Sequence, residues 1–110
     1  MKNKYQLINK LYNDDSVRIY VILETKQYYI SIYDVVQKLT NYKNVNNYII
    51  ILKKKLLLNK CDAVYNFKTF YLIKNINNKC VETEMIDLNS LIDIIEYIPL
   101  RNKTYVREFE

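Results

Sequence analysis

Amide and ammonium side chains occur at helical spacing in residues 44–58, and together these groups can contact duplex DNA. At 100° per residue, one side of such a helix is expected to face the core and carries Val45, Tyr48, Ile49, Leu52 and Leu56. Four polar residues gather on the opposite side, with Ile50 and Leu57 between them: Asn46, Asn47, Lys53 and Lys54. An asparagine amide can bond two polar atoms of an adenine edge, and a lysine ammonium can neutralise a phosphate. This face therefore predicts a surface that reads bases near the helix start and holds the DNA backbone further along.

Neighbouring residues extend the predicted DNA surface. Lys43 and Asn44 precede the helix, and Lys38 and Lys55 lie at the edge of the surface. Residues 35–61 contain six lysines and no acid, so the local surface is basic. The predicted partner is AT-rich or non-specific DNA. A solvated helix face is the alternative interpretation, because lysine-rich exposed faces are common.

The chain lacks the residues on which most familiar enzyme sites depend. Its 110 residues include no His and no Gly, which excludes a histidine general base, a Ser–His–Asp triad, a P-loop and a dinucleotide-binding fingerprint. Its two cysteines, Cys61 and Cys80, match no zinc-site spacing. We therefore expect a non-enzymatic protein without a metal or a cofactor. No apolar run approaches membrane-spanning length, so we expect an intracellular protein without a membrane partner.

The length and the hydrophobic patterns predict one small α+β domain over residues 1–110. Residues 17–23 and 28–30 are rich in β-branched and aromatic side chains and predict a β-hairpin. Residues 67–74 and 79–86 predict a second hairpin, with a turn at residues 75–78. The first dozen residues fit either a helix or a strand.

Three helices are predicted to position the functional side chains. Ser31 and Asp34 resemble a capping box for a helix that ends near Thr40, and Asn44 caps a second helix to residue 58. These two helices form a helix-turn-helix-like pair. Asp87 caps a last helix, which ends at Pro99. The apolar stripe of this last helix is Leu88, Leu91, Ile92, Ile95 and Ile98.

Residues 29–99 resemble the Bro-N domain of phage antirepressor-type proteins and baculovirus repeated-ORF proteins. The resemblance begins at SIYDVVQKLT (residues 31–40), continues through Lys43, Asn44 and Tyr48 into LKKKL (residues 52–56), and resumes from Glu84 to LNSLIDIIEYIP (residues 88–99). The order and spacing of these three blocks carry it. The chain departs from the family at residues 45–47 and 49, where proline, basic and aromatic residues are usual.

The resemblance implies a DNA-binding or regulatory module of viral, phage or prophage origin, acting in the host cytoplasm or nucleus. It also implies that the chain is either a stand-alone or a truncated member, because relatives commonly continue into a second domain. The alternative is a protein-interaction module, such as an antirepressor or host-factor inhibitor, that acts through an apolar, tyrosine-rich patch. A homodimer is left open. Salt dependence separates DNA binding from apolar contact with a protein.

Overall fold

β-Branched and aromatic segments pair into one antiparallel sheet, and amphipathic segments form helices beside it. The computed structural model describes residues 4–74 and 79–106. The strands are β1 (Ile19–Ile22), β2 (Gln27–Ser31), β3 (Lys68–Lys74) and β4 (Lys79–Asp87). The helices are α1 (Lys4–Tyr12), α2 (Ile32–Thr40), α3 (Val45–Leu58), α4 (Leu88–Ile94) and α5 (Lys103–Val106), with 3₁₀ turns at Asp62–Asn66 and Ile95–Tyr97. The predicted α+β class is confirmed, with more helices than the three expected.

Both predicted hairpins are confirmed, and the structure joins them into a single sheet of order β1-β2-β4-β3. The joining pair is β2 with β4, in which Ile30 lies opposite Ile86. The predicted turn at residues 75–78 lies outside the described residues. The first dozen residues, ambiguous in sequence, form α1 over the described part, with Leu7 and Leu11 fully buried.

The main core lies between one sheet face and the helices. Ile30 and Ile86 point from the central strands into a buried cluster that all five helices supply. Its fully buried members include Leu7, Leu11, Val35, Val36, Leu39, Leu52, Leu56, Leu91 and Ile94. Because α2 follows β2 directly and residues 41–44 connect it to α3, this core also sets the position of α3.

The opposite sheet face closes on itself by curling. Tyr20 lies on the edge strand β1 and Phe70 on the other edge strand, β3, yet their ring centroids are 4.7 Å apart. Three interstrand spacings would separate them by about 14 Å in a flat sheet. The curl brings Phe70 also to 5.0 Å from Tyr29, which is 2% exposed although it lies outside the main core. The edge-strand aromatics thus cover the central strands.

The capping box at α2 is only half formed, which corrects the prediction. Ser31 Oγ accepts a hydrogen bond from the Asp34 amide at 3.2 Å, as expected for an N-cap. The Ser31 amide, however, donates to the Arg18 carbonyl at 3.0 Å across the hairpin. The Asp34 carboxylate instead accepts from the Arg18 backbone amide and from its Nε, each at 2.9 Å. The Ser31 amide, which would donate to the Asp34 carboxylate in a complete capping box, is used by the pairing with Arg18.

The last helix is shorter than predicted. The α-helix ends at Ile94 and tightens into the 3₁₀ turn Ile95–Tyr97. Of the expected stripe, Leu91, Ile95 and Ile98 are buried and Ile92 is half-buried. Leu88 is 44% exposed, and Ile94, which was not assigned to the stripe, is fully buried. Asp87 occupies the N-cap position, but its carboxylate accepts from the Ser90 hydroxyl rather than from a backbone amide. None of the helices in residues 4–74 and 79–106 combines the length and the hydrophobicity that a membrane span requires.

Candidate functional site

Helix α3 is oriented by a cap at its start and an apolar stripe along one side. Asn44 Oδ1 accepts from the Asn47 amide at 3.0 Å and begins the helix. Of the predicted inward face, Val45, Ile49, Leu52 and Leu56 are at most 6% exposed, whereas Tyr48 is half-buried. The opposite side of the helix therefore faces solvent.

Aliphatic side chains dominate that solvent side. Ile50, Ile51 and Leu57 are 55%, 49% and 50% exposed, and Leu58 is 83% exposed. At 100° per residue, these four flank a ridge made by the exposed Asn47 and Lys54. We call these six residues the α3 patch. It consists of aliphatic side chains on both sides of a polar ridge that carries one amide and one ammonium.

Sequence reasoning missed the apolar character of this face because it followed the amides and lysines. Helix periodicity places Ile50 and Leu57 between the polar residues of this face, but it predicts no binding role for them. A signal was present in the two triplets Ile49-Ile50-Ile51 and Leu56-Leu57-Leu58. Three consecutive residues span 200° of a helix, so no single core-facing side can hold all of them.

The structure separates the predicted lysines into engaged and exposed groups. Lys53 forms an ion pair with Glu84 on β4, and its Nζ lies 5.0 Å from the Phe67 ring centroid. Lys55 donates to the Tyr97 carbonyl at 3.2 Å, and Lys38 lies 3.7 Å from the Asp14 carboxylate. These three ammonium groups are therefore partly neutralised or anchored.

Lys43 and Lys54 are exposed, and no described residue holds either ammonium in an ion pair or hydrogen bond. Asn46 and Asn47 are also exposed, whereas the Asn44 side-chain oxygen is occupied by the helix cap. Four of the eight predicted DNA-contacting residues thus keep unengaged polar groups at the surface.

A polar cleft of about 770 Å³ runs beside the first half of α3. Asn46, Ile50 and Lys53 line its helical side, and Thr69 and Glu84 line its sheet side. Glu82 and Arg18 also line it, so the cleft has charges of both signs. A polyanion would meet carboxylates here, and this side of α3 is less suited to phosphate than its lysine content suggests.

A second apolar surface contains the clustered tyrosines. Tyr5 and Tyr12 of α1, Tyr28 of β2, and Leu88 and Ile92 of α4 line an open groove of about 360 Å³. Tyr5 and Tyr28 are 66% and 51% exposed. Leu88 and Ile92, which belong to the predicted core-facing stripe of the last helix, therefore line a surface groove.

Tyr12 is unusual within this tyrosine groove because its hydroxyl is buried and no described group bonds it. Burial, with a smaller contribution from the negative charge of Asp87, raises the pKa of Tyr12 to about 12. Removing water from the phenolate disfavours the charged form. The hydroxyl is consequently a destabilising feature of this region.

Within the described part of the chain, no group of His, Cys, Asp or Glu residues is arranged to hold a metal ion, and Cys61 and Cys80 are free thiols. Comparison of the chain with protein-family models, curated proteins and solved structures finds no match. Its surfaces therefore supply the evidence on function.

Proposed function

We propose that this protein is a non-enzymatic protein-interaction module whose α3 patch binds an acidic and apolar surface of another protein. The observation that carries this proposal is the 49–83% exposure of four aliphatic side chains on the solvent side of one helix. Single exposed leucines are normal in soluble proteins, whereas several half-exposed aliphatic side chains gathered on one side of a helix favour a binding surface.

The energetics favour a protein partner. Fully burying an exposed aliphatic side chain contributes roughly 1.5–3 kcal/mol, so burying the remaining half of each contributes about 1 kcal/mol. Four such side chains supply about 4 kcal/mol from one helix face, before the cost of association. Amphipathic helices commonly bind in this way, with an apolar face placed in a groove of the partner.

The charge around the α3 patch indicates what that partner carries. Residues 35–61 contain no acid, and Lys54 lies at the centre of the patch, with Lys60 beyond its end. A symmetric pairing of two α3 patches would bring Lys54 close to its own counterpart, which is unfavourable. A partner with carboxylates beside an apolar surface complements both features.

Duplex DNA is the second candidate, and the exposure of Lys43, Asn46, Asn47 and Lys54 favours it. It corresponds to the Bro-N resemblance, which implies a viral, phage or prophage regulator acting in the host cytoplasm or nucleus. The exposed aliphatic side chains make duplex DNA a less suitable partner for this face, because a DNA groove offers apolar contact chiefly at the thymine methyl group.

Two matched double variants distinguish the candidates. Ile51→Ser with Leu58→Ser removes apolar surface, and Lys43→Ala with Lys54→Ala removes charge. Fluorescence anisotropy would follow binding to an acidic amphipathic helical peptide and to an AT-rich duplex at two salt concentrations. Thermal melting would confirm that both variants fold, since all four positions are exposed.

Under the proposal, the serine variant loses peptide binding while the wild-type affinity falls little with salt. Duplex binding that falls steeply with salt, survives in the serine variant and is lost in the alanine variant would instead establish the DNA function.

A further inference from the structure

The protein presents two exposed surfaces with apolar side chains and opposite charge. The first is the α3 patch, in which aliphatic side chains flank Lys54, and no described residue holds that ammonium in an ion pair. Lys60, just beyond the helix, is also exposed, and residues 35–61 contain no acid. The second is the tyrosine groove of about 360 Å³, whose lining residues carry no charge.

Carboxylates border the tyrosine groove on its α4 side. Asp87 and Asp93 adjoin Leu88 and Ile92, two residues that line the groove. The charge of Asp87 acts on the Tyr12 hydroxyl, and Asp93 is exposed. No described lysine or arginine forms an ion pair with either carboxylate.

The lysines of α1 do not neutralise this border. Lys4 lies beside the groove but forms an ion pair with Glu96 at 2.7 Å. Lys10 donates to the Tyr105 carbonyl at 2.6 Å. The border therefore contains the ammonium of Lys4 and the carboxylates of Glu96, Asp87 and Asp93, and its net charge is negative.

The two surfaces also match in length. The α1 residues that line the groove run from Tyr5 to Tyr12, and the α3 aliphatic side chains run from Ile51 to Leu58. Each stripe covers seven helical steps, or about 10 Å at 1.5 Å per residue. Because α1 and α4 border the groove, an exposed apolar helix face can lie between them.

Only the pairing of unlike surfaces satisfies these charges. Two α3 patches would bring two Lys54 ammonium groups together, and two tyrosine grooves would bring their carboxylates together. An α3 patch placed in a groove instead brings Lys54 towards Asp87 and Asp93. The same contact covers the exposed aliphatic side chains of one copy and the exposed Tyr5 and Tyr28 of the other.

We propose that the tyrosine groove accepts the α3 patch of a second copy of this chain. This assignment, which rests on the proposed function of the α3 patch, makes its partner another copy of the same protein. Each contact joins two different surfaces, so the copies associate head to tail in a ring or a chain.

Sedimentation velocity of the full chain from micromolar to millimolar concentration would measure this association, and we expect the average mass to rise with concentration. Two variants each remove one surface: Ile51→Ser with Leu58→Ser in the patch, and Tyr5→Gln with Tyr28→Thr in the groove. Each should weaken association at least about tenfold. The matched control is Tyr71→Thr, at another exposed strand tyrosine outside the groove, and it should associate as the wild type does.

Mixing the two double variants tests the pairing directly. Each retains the surface that the other lacks, so an equimolar mixture should form a one-to-one complex and no larger species. Lys54→Glu should weaken association of the otherwise wild-type chain several-fold, because its carboxylate would face Asp87 and Asp93. Thermal melting would confirm that every variant folds.

A wild-type chain that stays monomeric at millimolar concentration, or a mixture of the two variants that does not associate, would overturn the inference. Unchanged association of Lys54→Glu would do so as well. If the wild-type chain then still binds the acidic helical peptide through Ile51 and Leu58, the proposed function stands and only the identity of the partner is wrong. If it binds neither the peptide nor a second copy, both proposals fail.

Discussion

Replacing Asp34 by alanine should destabilise the fold because one carboxylate connects the first hairpin to α2. Asp34 is 7% exposed and accepts three hydrogen bonds from Arg18: from its backbone amide and Nε at 2.9 Å each, and from Nη2 at 3.2 Å. Arg18 Nη1 also donates to Thr83 Oγ1 on β4 at 3.3 Å. The contacts thus join three separate elements.

The expected magnitude depends on how well Arg18 can be rehydrated. Breaking a buried ion pair typically costs roughly 3–5 kcal/mol because a charge is left without a partner. The Arg18 side chain is 43% exposed, so water can solvate the guanidinium after the change. We expect a loss of about 2–3 kcal/mol for Asp34→Ala, or roughly 8–12 °C in melting temperature for a domain of this size. Asp34→Asn should lose less, because its amide oxygen can still accept from the Arg18 backbone.

Thermal and urea denaturation would measure these losses, with Asp93→Ala as the control for an exposed acid on α4. A double-mutant cycle with Arg18→Met would isolate the coupling between the two side chains. If Asp34→Ala shifted the melting temperature no more than Asp93→Ala does, the proposed connection between hairpin and helix would be refuted.

Three further changes test the fold. Ile95→Ala should cost about 2–5 kcal/mol because Ile95 is fully buried, whereas Leu88→Ala at a 44% exposed site should cost about 1 kcal/mol; equal melting shifts would contradict this assignment. Because the pKa of Tyr12 is raised from 10.0 to about 12 by folding, its titration does not affect the free energy of unfolding below pH 10 and lowers it as pH rises towards about 12. Tyr12→Phe should therefore flatten the alkaline fall in melting temperature, and it should not destabilise the fold at pH 7 because it removes an unpaired hydroxyl. Asn44→Ala should cost about 1 kcal/mol in urea denaturation through loss of the α3 cap, while Asn47→Ala, which keeps the backbone donor, should cost less.

Local features of the chain could be predicted from sequence because neighbouring residues determine them. Ser31 and Asn44 start helices α2 and α3, since their short polar side chains reach the amide three residues on. The two hairpins follow from β-branched and aromatic runs separated by short polar turns. Asn41 ends α2 in the left-handed conformation, a role that asparagine can fill in a chain without glycine.

The candidate site was predicted only in part, because helix periodicity identifies a face without showing what neighbours it. It correctly placed Val45 and Leu52 inward. It could not show that Glu84, more than thirty residues further along, pairs with Lys53. Lys53 meets Glu84 only because β4, which carries Glu84, pairs with β2 in the sheet.

Sequence alone thus determined the two hairpins, the starts of α2 and α3, the α+β class and the basic character of residues 35–61, since these depend on local propensity and composition. Tertiary structure decided which side chains remain exposed. Packing one sheet face against the helices left Ile50 and Leu58 in solvent, and curling of the sheet buried Tyr29 on the opposite face. These outcomes required tertiary structure because burial depends on contacts between residues far apart in the chain, and local propensity carries little information about those contacts.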